Sequence, residues 1–166
     1  MVAWAAALCW NRREMPERAS RRYPERPIVG VGAVVLEARR VLLVERGQEP
    51  HKGLWSLPGG VLELGERLAD GLRREVREET GLEIRLLELV EVFERILPDG
   101  EGRSEYHYVL IDYLCEKAGG KLCPGDDVSR AEWVELEHLG DYRITAGTPA
   151  VIEKAAAMRD RLLLSL

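Results

Sequence analysis

What this 166-residue chain lacks narrows its function first. It has one phenylalanine, Phe93, and aromatic residues make up 6% of it, too few for the stacking platform of a single-strand nucleic-acid binder. It has no basic excess. Lys and Arg number 24 against 29 Asp and Glu, a formal net charge of −5, which argues against a nucleic-acid polymer held by bulk phosphate attraction. Its three cysteines, Cys9, Cys115 and Cys123, are odd in number and never spaced C-x-x-C, so a disulfide framework or structural zinc site is disfavoured and a reducing cytoplasm fits. His51, His107 and His138 are far apart, so a metal site has to be built from carboxylates. Residues 1–10 are apolar but fall far short of the ~20 needed to cross a bilayer. Their arginines follow the apolar stretch instead of preceding it, unlike a signal peptide. No membrane partner is expected.

The length suits one domain with a single sizeable core. Residues 1–27 read as an extension and an irregular lead-in rich in Arg and Pro, with Met15 an alternative start, and residues 28–166 as the domain. From Ile28 the pattern is strand-like: a β-branched run to Leu36, a two-arginine turn, then Val41 to Val44, a hairpin of buried strands. A short extended piece over residues 54–57 ends at Pro58-Gly59-Gly60. Residues 66–80 switch to helical period, with Leu68, Leu72 and Val76 at i, i+4, i+8 and Gly81 placed to end the helix. Long strands over residues 84–96 and 106–115 flank a turn at Pro98-Asp99-Gly100. A strand around Trp133 and an amphipathic helix over residues 148–163, capped by Thr148 with Pro149 next, complete the chain. This order predicts an α+β fold, a mixed β-sheet covered by helices on both faces.

The middle helix carries the chemistry. At ~100° per residue, Glu75, Glu78 and Glu79 fall within one arc of ~100°, beside the apolar stripe of Leu68, Leu72 and Val76. Arg74 and Arg77 fall on the far side. Glu75 and Glu79 are like charges at i, i+4, which destabilises a helix unless something neutralises them. Oxygen-only ligands on a rigid helix suit Mg²⁺ or Mn²⁺. The plainer reading is a solvated Glu/Arg face with Arg74–Glu78 as a simple ion pair. The Pro58-Gly59-Gly60 bend favours the cation, because it lets backbone approach a ligand and offers carbonyl oxygens. Glu66, at the helix start, can hold the loop or the helix amides.

Residues 60–82 read GVLELGERLADGLRREVREETGL. This resembles the signature of the Nudix hydrolases: Gly, five residues, Glu, seven residues, then Arg-Glu-U-x-Glu-Glu-x-Gly-U with U aliphatic. Gly60, Glu66, Arg74, Glu75, Val76, Glu78, Glu79, Gly81 and Leu82 fill every fixed position. The segments RPIVGVGAVV, RRVLLVERG, KGLWSLPGG and AEWVELEHL extend the resemblance over about residues 24–155, towards the ADP-ribose pyrophosphatase-like and MutT-like branch.

The resemblance implies an α/β/α sandwich and a pyrophosphohydrolase acting on a nucleoside diphosphate linked to another moiety. It implies Glu75, Glu78 and Glu79 as ligands of Mg²⁺ or Mn²⁺, with the Gly59 carbonyl as a backbone ligand. Arg74 would orient a glutamate, and Glu66 would brace the loop or reach metal through water. The general base is a box glutamate (Glu78 or Glu79) or a later carboxylate, Asp126 or Asp127, unless those two only shape a solvent loop. Arg46 and Arg103 are candidates for substrate phosphates or sugar, with surface arginine the alternative. His107 and Tyr108 lie on a strand that can line the pocket. Pro98, sixteen residues past Leu82, matches a family rule for ADP-ribose enzymes, though it also simply opens a turn. The expected substrate is ADP-ribose or a related nucleoside diphosphate sugar. The alternatives are an oxidised nucleoside triphosphate and a non-catalytic nucleotide sensor, and a homodimer is left open.

Overall fold

The computed structural model describes residues 21–49, 51–125 and 127–164. The extension over residues 1–20, with Cys9 and Met15, and the site candidate Asp126 lie outside the described residues. The elements in order are β1 (Ile28–Glu37), β2 (Arg40–Arg46), β3 (Trp55–Ser56), β4 (Gly59–Val61), α1 (Leu68–Thr80), β5 (Leu82–Pro98), β6 (Ser104–Gly120), β7 (Val128–Glu135), a 3₁₀ turn over Leu136–Asp141, and α2 (Thr148–Leu164).

The strands form one mixed sheet in the order β3-β2-β1-β6-β5, with β4 also on β1 and β7 also on β2. Among these strands the one parallel pairing is β1 with β6, from Ile28↔Tyr108 to Val35↔Cys115. β1 is central and buried on both sides, which is why its sequence is a nearly unbroken apolar run instead of an alternation. Its odd-numbered residues, Val31, Ala33 and Val35, pack with Leu72 and Val76 of α1. Its even-numbered Val34 and Leu36 pack with Val151, Ile152 and Ala155 of α2. Each helix thus covers its own face, the three-layer arrangement the resemblance implied.

Three details position the site. The Pro58-Gly59-Gly60 bend is not only a loop: Gly59–Val61 pairs antiparallel with β1, Gly32 opposite Gly59 and Val31 opposite Gly60. Gly81 ends α1 at φ 69°, the left-handed conformation glycine adopts without a Cβ penalty, and its amide returns to the Arg77 carbonyl. Residues 121–125 are then fastened over the end of α1, because the amides of Cys123 and Gly125 donate to the carbonyls of Thr80 and Glu79, each at 2.9 Å. β5 and β6 run longer than their sequence pattern suggested, and four register shifts interrupt the apolar alternation of β5 where it faces β6. Among the described residues no helix is long and apolar enough to cross a membrane.

Candidate functional site

Arg74 organises the acidic helix. Its Nε and Nη2 donate to the two carboxylate oxygens of Glu66, both at 2.9 Å, closing a bidentate pair. Its Nη1 reaches Glu75 at 2.8 Å and Glu78 at 3.3 Å, and Nη2 also reaches the Val61 carbonyl at 3.2 Å. The sequence reading that put Arg74 on the far side of α1 is therefore corrected. The helical angle locates the Cα, but the long side chain curls back over the loop and is mostly buried. Arg77 does stay exposed. The hydrogen bonds that Arg74 donates to Glu66 outweigh burial and, with the one it donates to Glu75, hold its guanidinium firmly charged. Arg74 in turn holds the Glu66 carboxyl below its usual range, helped by the Glu63 amide.

The glutamates differ in placement. Glu75 is buried at 6% exposure, on the core side of α1 beside Leu72 and Val76. Its carboxylate lies against Gly60, where an added Cβ would sit 2.3 Å from it. Glu79 accepts the Gly59 amide at 2.8 Å. Burial pushes the Glu79 carboxyl up to about 8, against the pull of the Gly59 amide and Arg46 and with the push of Glu75 and Asp127. Glu78 is the exposed member of the trio. Gly59 has φ +150° and backs directly onto the Val31 carbonyl, so the close approach of β4 to β1 needs glycine there.

One cleft gathers Gly59, Gly60, Glu75, Glu79, Arg46 and Asp127. Arg46 reaches it from the end of β2, and burial lowers its guanidinium affinity for the proton, while Glu79 and Tyr108 oppose that. Tyr108 also lines the cleft; His107, its neighbour on β6, does not. The structure does not bring Arg103 there. It sits on the β5–β6 turn, where its side chain binds Asp99 at 2.9 Å and Glu101 at 3.3 Å and lies over the Tyr23 ring. The reason is local: Asp99 accepts the amides of Glu101 and Arg103 and fixes the turn, so the arginine closes on its own loop. Asp112 and Arg95 are among the cleft residues that escaped the sequence reading. The signal for Asp112 was present: a lone carboxylate in the apolar strand Tyr-Val-Leu-Ile-Asp-Tyr-Leu.

Among the described residues no three His, Cys, Asp or Glu side chains converge as they stand on a point that could hold an ion. The donor set nevertheless fits a hard divalent cation. It is all oxygen, from Glu75, Glu78, Glu79 and the Gly59 carbonyl. Glycine at position 60 leaves the space into which the Glu75 carboxylate extends. The burial that raises Glu79, with repulsion from Glu75 and Asp127 adding to it, is a penalty that a bound cation would offset.

A family model described as the NUDIX domain matches residues 26–155. An ADP-ribose pyrophosphatase of Methanocaldococcus jannaschii is 35% identical over 113 residues, 68% of this chain and 64% of that protein, so the match spans less than two thirds of the archaeal chain. The nucleoside triphosphatase NudI of Salmonella typhimurium is 35% identical over 101 residues, 58% of this chain and 72% of that protein. Among solved structures, a MutT NUDIX hydrolase from Burkholderia pseudomallei superposes with a TM-score of 0.69 at 29% identity, covering 78% of this chain and 98% of that one. The NUDIX domain of Shewanella oneidensis NrtR, solved with ADP ribose, gives a TM-score of 0.66 at 25% identity, covering 83% of this chain and 90% of that one.

Proposed function

This chain belongs to the NUDIX family, and from that premise we propose that it hydrolyses the pyrophosphate bond of ADP-ribose or a related nucleoside diphosphate sugar. The observation that carries this reading is the cleft that gathers Glu75, Glu79, the Gly59-Gly60 bend and Arg46, with the Arg74 fork at its border holding Glu75 and tying it to Glu66 and Glu78, which do not line the cleft. The archaeal pyrophosphatase relative supports the choice of substrate.

Glu75, Glu78 and Glu79, with the Gly59 carbonyl, are the residues that would hold Mg²⁺ or Mn²⁺. When bound, such an ion neutralises the crowded phosphate charge and lowers the pKa of a coordinated water. Arg74 acts as a positioning residue through the bonds it donates to Glu75 and Glu78. Glu66 braces the loop by accepting both Arg74 and the Glu63 amide. Arg46, which lines the cleft, is a candidate guanidinium for a substrate phosphate. Glu79 and Asp127 flank the cleft as carboxylates able to take the proton of the attacking water, a contribution of roughly 10²–10⁴-fold.

The NudI relative favours a second reading, a nucleoside triphosphate substrate. Product analysis with ADP-ribose, other nucleoside diphosphate sugars and nucleoside triphosphates, with Mg²⁺ and then EDTA, separates the two. AMP and ribose 5-phosphate from ADP-ribose, lost with chelator, support the first. Turnover confined to triphosphates supports the second. Binding of ADP-ribose with no turnover of any substrate would reject both and leave a nucleotide-sensing domain. Glu78→Gln is expected to keep the fold and lower turnover by roughly 10²-fold or more, and unchanged turnover removes Glu78 from the machinery.

A further inference from the structure

Among the described residues β5 is the outer strand of the sheet, with β6 on one side and no strand on the other. Four of the nine large apolar side chains that the described residues leave exposed stand on it: Leu87, Leu89, Val92 and Ile96, at 37, 47, 54 and 50%. The cleft uses none of them. Exposed apolar side chains scattered singly need no explanation, but a run along one strand forms a patch, and a patch marks a docking surface.

The register shows what surrounds the run. Directly paired residues on neighbouring strands project from the same face of a sheet. Leu89 is opposite Tyr113, Val92 opposite Ile111 and Ile96 opposite His107. Ile111 is in turn opposite Val31 of β1, which packs with α1. The run therefore stands on the α1 face of the sheet. α1 covers the end of that face that holds Val31, Leu82 and Ile84, while Val92 and Ile96 belong to no buried cluster. Along Leu89–Ile96 and its β6 partners, this bare end carries one acid, Glu94, and one base, His107, on neighbouring rungs. Neither makes a hydrogen bond or an ion pair with another described residue.

We propose that this face is an interface between two copies of the chain, packed sheet against sheet about a two-fold axis, with Glu94 of one protomer against the partner subunit's His107. The charges select the occupant. A two-fold interface is isologous, so each contact between unlike residues is made twice. A face with one acid beside one base complements itself under that operation. A partner charged with one sign would meet its own sign at one of the two positions. The register selects face over edge. Two of the shifts in β5, between Leu86 and Glu88 and between Leu89 and Glu91, interrupt its free edge as a template for strand addition. Packing of face on face buries the apolar run that edge pairing would leave in water. This association does not depend on what the cleft hydrolyses.

Sedimentation velocity of the full chain from ~1 to ~300 μM, a span that covers micromolar dissociation constants, tests it. A concentration-dependent equilibrium between monomer and dimer is expected. Val92→Glu combined with Ile96→Glu, both at exposed positions, is expected to weaken the dimer at least ~10-fold while melting as cooperatively as wild type. Glu94→Arg and His107→Glu singly set like charges against each other and are each expected to weaken it ~10-fold. Together they restore opposite charges in exchanged places and are expected to return the dimer to within ~3-fold of wild type. General stickiness would give no such recovery, and the recovery is readable whether or not the Val92 and Ile96 variant folds. A monomer throughout the range overturns the inference. So does a dimer indifferent to these four positions, or a double charge variant no tighter than the single ones. Iodoacetamide labelling of Val92→Cys, read by peptide mapping, identifies any other occupant. Protection that grows with protein concentration supports the second copy. Protection already complete in the monomer would assign the face to residues 1–20 of the same chain and overturn the inference.

Discussion

Gly60→Ala separates chemistry from folding in one substitution. The added Cβ would stand 2.3 Å from Cδ and Oε2 of Glu75 and 2.6 Å from Oε1. All three of these nearest atoms belong to the Glu75 side chain, and Gly60 is not among the glycines with positive φ. The clash is therefore relieved by the end of a flexible side chain. To regain ordinary contact at 3.4 Å the carboxylate must retreat by about 1.1 Å (3.4 − 2.3). A displacement of about 1 Å at a reacting centre costs on the order of 10²-fold in rate, or about 2.7 kcal/mol of transition-state stabilisation. Stability should hardly follow. Arg74 keeps its bidentate bond to Glu66, so only the Glu75 contact is loosened, and the loss in unfolding free energy should stay within about 1 kcal/mol. Steady-state hydrolysis of ADP-ribose alongside urea unfolding measures both quantities. Activity within about threefold of wild type would show that the position of the Glu75 carboxylate does not matter and would refute the reasoning.

Gly59→Ala should behave oppositely. Its Cβ would meet the Val31 carbonyl at 2.1 Å in a backbone at φ +150°, so a loss of roughly 2–4 kcal/mol is expected in the same unfolding assay, and wild-type stability would count against the tight β4–β1 approach. Arg74→Lys exchanges a fork for a single point charge and should cost roughly 1.5–3 kcal/mol by chemical denaturation, with a null effect disproving the bridging role of the guanidinium. Asp99 is expected to confer acid-sensitive stability. Burial alone would raise its carboxyl, but the amides of Arg103 and Glu101, the Tyr23 hydroxyl and the Arg103 side chain win and hold it at about 2 against an ordinary 3.8. Because the folded value is depressed, the stabilisation is present above pH 3.8 and lost as pH falls towards 2. The melting-temperature gap between wild type and Asp99→Asn should narrow across that window, and a gap independent of pH would contradict it. Burial pushes the Cys115 thiol up to about 12, so iodoacetamide on the native protein should modify exposed Cys123 and spare Cys115, as read by peptide mapping.

Much of this was legible from residue order alone. The helix over α1, its glycine stop at Gly81, the hairpin of β1 and β2, and a sheet covered on both faces follow from periodicity and turn chemistry. The trio of glutamates was visible as an arc. What periodicity cannot encode is where a long side chain goes. Arg74 was placed by its Cα angle, but its five donors found Glu66, Glu75, Glu78 and Val61 by reaching back over the preceding turn. Arg103 was a candidate substrate cation with surface arginine as the alternative, and its own turn offered it Asp99. Asp112 showed as a lone carboxylate in an apolar strand, but its place opposite Gly32, 80 positions earlier, is set only when β1 and β6 pair. Long-range strand partners of that kind leave no local trace.

That pairing also governs when the molecule can acquire its shape. During synthesis the apolar ribbon from Ile28 to Val35 emerges long before the segment from Tyr108 to Cys115 that must close one of its edges. Until then the nascent chain carries an open, sticky border beside a hairpin that cannot shield it, a condition that invites association with other chains. Assembly must wait for a distant stretch to return, which makes folding slow for its size and gives molecular chaperones an interval in which to act.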